Sequence, residues 1–189
     1  MFSEQRWRYC VRAHGRFQTL VTNTGAQGGY QDILRVIALE LSGSYVAYDT
    51  DDFLGGGRYG TIDGDVHLQN LSTGTSASSG GGCCFNPPTV ILSPTGVALW
   101  QVENETTTPQ GTPSSWTWSV QVLDDRTGKS STLDSAPAIP SPSGGITTIP
   151  AFANLQLQQC LAGCSPSGAT FAWWTYDGVW HSARLGHPV

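Results

Sequence analysis

Six carboxylates stand out by type and spacing: Asp49, Asp51 and Asp52 in "YDTDD", Glu103 and Glu105 in "ENE", and Asp177 in "YDG". Each group closes an apolar run: "YVAYDT" (45–50), "GVALWQVENE" (96–105) and "ATFAWWTYDG" (169–178). Carboxylate oxygens are hard ligands suited to Ca²⁺, and a carboxylate pair is what glycoside hydrolysis requires. Asp and Glu also settle in hairpin loops because they favour turns and water. "DTDDFLGGG" is not an EF-hand loop, because its glycine and distal glutamate are misplaced. The four histidines show no H-E-x-x-H spacing, and "GGGRYG" follows no strand–helix crossover that would make it a phosphate loop. No G-x-S-x-G elbow is present. No catalytic residue is assigned.

Aromatic side chains offer a different chemistry. Trp173 and Trp174 are adjacent on a strand, so they face opposite sides. Trp174, Tyr176 and Trp180 are the candidates for an exposed platform on which a sugar ring stacks; the competing role is core packing. Among the five cysteines, Cys160 and Cys164 bracket "LAG" and are spaced for a local disulfide, not for the C-x₂-C of zinc or redox sites. Cys83 and Cys84 form either a vicinal disulfide or a reduced pair. Cys10 is expected to be a buried strand residue.

Repeating elements position these groups. "RVIALEL" (35–41), a turn at Ser42-Gly43-Ser44 and "YVAYDT" (45–50) form a strand–turn–strand, followed by a Gly-rich loop over 51–64, the strand "DVHLQNL" (65–71) and a turn into a fourth strand. "TVILSPTGVALWQV" (89–102), a polar loop over 103–115 and "WTWSVQVLDDRTGKSSTL" (116–133) repeat the plan, with Ser42 and Ser93 lying 51 residues apart. A third unit has "ANLQLQ" (153–158), "ATFAWWTY" (169–176), a tight turn at Asp177-Gly178 and "VWHSARL" (179–185). "WRYCVRAHGRFQTLV" (7–21) matches only the second half of a unit. Alternation such as Val120, Val122 and Val66, Leu68 fits half-buried antiparallel strands.

In "LSPTGVALW" (92–100) and "VQVLDDRTG" (120–128) the chain resembles the blade repeat of bacterial WD-like, TolB-like β-propellers, common in exported proteins. The third unit departs from it in lacking the Thr-Gly turn, and no Trp-Asp dipeptide occurs. The expected fold is all-β and β-propeller-like, with about three antiparallel four-stranded blades (33–80, 88–134 and 151–186) and a half-blade (6–22). Such a partial ring closes with upstream blades of a longer chain, the first expectation, or with a second copy in a homodimer, or it stays an open arc whose ends are capped. On this strand assignment the six carboxylates begin equivalent loops of neighbouring blades and share one rim, where Ca²⁺ is the one cofactor to consider.

Composition narrows the partners. Only nine residues are Lys or Arg and the net charge is −5, which disfavours nucleic acid because phosphate binding draws on basic side chains. No apolar run is long enough to span a membrane. The first residues lack a signal peptide's apolar core, whereas the cysteines suit an oxidising compartment. The expectation is an extracytoplasmic or secreted protein whose leader lies upstream, and a cytoplasmic one if Met1 is the true start. The function expected is a non-catalytic scaffold binding a protein or glycan, with a glycan hydrolase or lectin-like module as the alternative.

Overall fold

The computed structural model describes residues 5–10, 15, 17–23, 32–54, 61–83, 90–107, 113–140, 148–160 and 169–185. It is all-β: every regular element among these residues is a strand. No helix among them is long and apolar enough to cross a membrane. Strands β1 (Gln5–Cys10) and β2 (Phe17–Asn23) form a hairpin. The first sheet is an antiparallel meander of β3 (Asp32–Ser42), β4 (Tyr45–Leu54), β5 (Thr61–Asn70) and β6 (Ser76–Cys83). The second repeats it with β7 (Ile91–Leu92), β8 (Val97–Thr107), β9 (Pro113–Asp124) and β10 (Lys129–Pro137). A short ladder of β11 (Ile139–Pro140) and β12 (Thr148–Ile149) leads to the third sheet, β13 (Phe152–Gln159), β14 (Thr170–Tyr176) and β15 (Val179–Leu185). Two of the antiparallel sheets have four strands and the third has three among the described residues.

Turn chemistry sets the strand ends. In "LSPTG" the Ser93 hydroxyl accepts hydrogen bonds from the backbone N–H of Thr95 (3.3 Å) and Val97 (3.1 Å), and Gly96 takes a φ of 77°. A Cβ at Gly96 would lie 2.5 Å from the Tyr45 ring of the first sheet, so the turn requires glycine for space as well as for φ. Asp177 and Gly178 both have positive φ (48° and 75°), the pattern of a two-residue hairpin turn whose twist suits its strands.

The sheets stack face to face. Ala47, Val66 and Leu68 of the first pack against Leu92, Ala98, Trp100 and Leu123 of the second. On its other side the second sheet presents Val97, Leu99, Trp118, Val120, Val122 and Ala136 to Phe152, Ala172 and Trp174 of the third. Alternate residues of β8 thus serve two cores, which is why "VALW" reads as a continuous apolar run. Burial of apolar area in these two interfaces stabilises the stack by about 25 cal/mol per Å².

Two loops are shorter than the sequence suggests. The chain expected to loop over 51–64 is strand through Leu54 and again from Thr61, and β8 runs through Thr107 rather than stopping before Glu103. Asp51 and Asp52 are paired on both sides, opposite Arg35 and Leu34 on β3 and opposite Gly64 and Asp63 on β5. Ladder bonds on both flanks outweigh the turn preference of Asp. Cys10, expected to be buried, is exposed on β1, because the hairpin lies outside both cores.

Candidate functional site

The rim of carboxylates does not form as a set. Asp49 and Glu103 are mid-strand residues only 3% and 4% exposed. By alternation Asp49 shares the face of Ala47, between the first and second sheets, whereas Glu103 shares the face of Leu99, between the second and third. Glu103 lies opposite Trp118, itself buried. Asp51, Asp52 and Glu105 are strand positions whose side chains lie outside the described residues. Asp177 is exposed at the β14–β15 turn. Among the described residues no three His, Cys, Asp or Glu side chains come together in a metal-binding group.

The aromatics divide between two faces. Trp174 is 3% exposed and belongs to the core between the second and third sheets, not to a platform. Its indole N–H donates to Asp134 Oδ2 at 2.7 Å, and its ring stacks on His181 (centroids 6.0 Å, interplanar angle 22°). His181 Nδ1 is 3.5 Å from the same Asp134 oxygen. Tyr176 is half-buried, set edge-on to His181 and tilted against Phe152. Trp180 is 55% exposed on the opposite face of the sheet, across from Thr175. Of the three expected platform residues, Trp180 alone presents an open face.

Asp134 was not singled out by sequence because its partners come from the next sheet, 40 residues on in the case of Trp174. The β10–β9 register shifts between Thr132 and Asp134, an irregularity that the sequence does not mark.

A second aromatic–histidine pair lies at the other end of the stack. Tyr48 stacks on His67 (4.8 Å, 17°). Thr50 Oγ1 donates to the Asp65 carbonyl at 3.3 Å and stands 2.9 Å from His67 Nε2, so the neutral ring that fits carries its proton on Nε2. Burial pushes the His67 pKa down, opposed in part by the charge of Asp65, and burial pushes the Tyr48 hydroxyl up. These rings line an open cavity of about 240 Å³ with Leu20 of β2, Gln69 and Ser76–Ser78. In the sequence His67 is one residue of the strand-like run "DVHLQNL" (65–71).

Cys160 is disulfide-bonded. Cys164, the partner expected for it, lies outside the described residues, as do Cys84 and the side chain of Cys83. Between the sheets, Thr95 and Thr170 hydroxyls meet at 3.1 Å, and Asp125 accepts hydrogen bonds from Tyr45 and Thr75 side chains. No protein-family model, curated protein or solved structure matches this chain.

Proposed function

We propose that the chain is a partial β-propeller, its three sheets serving as blades and the β1–β2 hairpin as a half-blade, and that it acts as a non-catalytic interaction scaffold in an oxidising, extracytoplasmic setting. One observation carries this reading: the two faces between sheets are sealed, while large apolar side chains are exposed at the ends of the stack. Leu39 and Leu41 on β3 are 37% and 61% exposed, and Trp180 and Val179 on β15 are 55% and 59% exposed. The blade-like meanders and the resemblance of "LSPTGVALW" support the propeller assignment, and the disulfide at Cys160 supports the compartment. The burial of Asp49 and Glu103 in sheet interfaces argues against a pair of carboxylates flanking a substrate bond.

The test is a panel of glycan substrates assayed with the wild-type chain and with Asp49→Asn/Glu103→Gln. No turnover by either supports the scaffold; turnover by wild type that disappears in the double variant overturns it. A second reading, lectin-like glycan binding, is favoured by Trp180, which shares the open face of the third sheet with Ser182 and Gln156. Titration with the same glycans and loss of binding in Trp180→Ala would establish it.

A further inference from the structure

On the first sheet, two strands sort their side chains by polarity. Val66 and Leu68 of β5 and Ala77 of β6 turn to the core shared with the second sheet. Their neighbours His67, Gln69, Ser76 and Ser78 take the other face. Tyr48, His67 and Ser78 stand in one row across β4, β5 and β6, and Gln69 and Ser76 face each other in the next row. With Leu20 of β2, these side chains line the open cavity of about 240 Å³.

The hydrogen bonds already made decide what the cavity offers a ligand. Thr50 Oγ1 donates to the Asp65 carbonyl, so at 2.9 Å it accepts from His67 Nε2. Nδ1 of the neutral ring is left as an acceptor. The Gln69 amide and the Ser76 and Ser78 hydroxyls supply both donors and acceptors, and they have no protein partner among the described residues. Leu20 adds an apolar contact. The described lining holds no Asp, Glu, Lys or Arg, and the charge acting on His67 is the carboxylate of Asp65. An anion would meet that charge with no cation to offset it, and a cation would find no carboxylate in the lining. The chemistry is therefore that of a neutral molecule with several hydroxyls and an apolar edge. The volume lies below the roughly 300–1,000 Å³ that holds drug-sized ligands, which suits a single ring rather than a chain of them.

We propose that this cavity binds one neutral pyranose-sized sugar unit, free or at the end of a glycan, through His67, Gln69, Ser76 and Ser78, with a C–H face of the ring against Leu20. Sugar hydroxyls both donate and accept, so a lining of mixed amide and hydroxyl groups can satisfy them in pairs. The ring nitrogen of His67 accepts only, so one sugar hydroxyl must donate to it, and that requirement orients the ligand. The site lies on the first sheet, apart from Trp180 on the third, and it does not depend on the scaffold reading.

Titration of the wild-type chain with glucose, galactose, mannose and N-acetylglucosamine, followed by backbone-amide NMR, tests it. At least one of these sugars is expected to give saturable shifts at His67, Gln69 and Ser76–Ser78 with a millimolar Kd, and its 6-phosphate to bind more weakly. Ser78→Trp fills the cavity from an exposed strand position and is expected to abolish the shifts, with the strand circular dichroism retained. Ser76→Ala/Ser78→Ala is expected to weaken binding by about 10-fold, as loss of two hydrogen bonds does, and serves should the tryptophan variant fail to fold. Binding of the methyl glycoside as well marks the end residue of a glycan as the ligand; binding of the free sugar alone marks a monosaccharide. No shift with any of the four sugars, a 6-phosphate that binds as well, or binding unaffected by either variant overturns the proposal. Binding that survives both variants and is lost in Trp180→Ala overturns it in favour of the third sheet and the lectin-like reading. Turnover in the glycan assay overturns the scaffold reading without bearing on this cavity.

Discussion

Tyr48 lies opposite His67 in the first sheet and Trp174 opposite His181 in the third, while Trp100 and Gln121 hold the corresponding places in the middle sheet. The two histidines share a ladder position and a stacked aromatic neighbour but meet different surroundings. His181 faces a carboxylate from the preceding sheet, Asp134, which also takes the indole proton of Trp174. The polar partner of His67, Thr50, comes from the neighbouring strand of its own sheet. Strand pairing brings the rings together; whatever lies across the interface decides their electrostatics.

The comparison breaks most severely at Trp174. Trp174→Ala is expected to lower the unfolding free energy by about 3–5 kcal/mol, through the cavity left between two sheets, and Tyr48→Ala, at an open end, by less. Denaturant midpoints at constant m-value check both. Next comes Asp134→Asn, which keeps the shape but removes the charge beside the indole N–H; a loss of about 1–2 kcal/mol is expected for a hydrogen bond to an ionised acceptor.

A double-mutant cycle of Asp134→Asn with His181→Gln should give a coupling of at most about 1 kcal/mol, because this pair is partly exposed. The smallest effect is the pH response of His67. Its folded pKa lies below the ordinary histidine value of about 6.5, so the unfolded chain binds more protons across that window. Its contribution to stability is fully present above about pH 6.5 and is lost as pH falls through the window beneath it. His67→Gln should flatten the fall in urea midpoint between neutral and mildly acidic pH, and an unchanged slope would place the pH response elsewhere.

Much of this arrangement was legible in the chain. The turns at Ser42-Gly43, Ser93–Gly96, Thr127-Gly128 and Asp177-Gly178 announce themselves through glycine and hydroxyl chemistry, and the strands between them through alternation. Strand ends in polar sequence were not legible. "DDFL" and "ENETT" look like loops because Asp, Glu and Thr tolerate water, yet pairing from both flanks carries them into the ladder. That error put the carboxylates on a rim. Asp134 was invisible for a different reason: nothing within its own strand marks a residue whose partners arrive from the next sheet.

The middle sheet, apolar on both faces, has a consequence for the order of biosynthesis. A ribosome delivers about 5–20 residues per second, so the first sheet, complete at Cys83, waits on the order of several seconds for the strands that will cover Ala47, Val66 and Leu68. The middle sheet then waits similarly for β13–β15. During each interval a nascent chain carries a flat apolar strand surface, the form most open to mispairing with a neighbouring chain. Slow codons placed within the segment encoding 90–137 would lengthen that exposure.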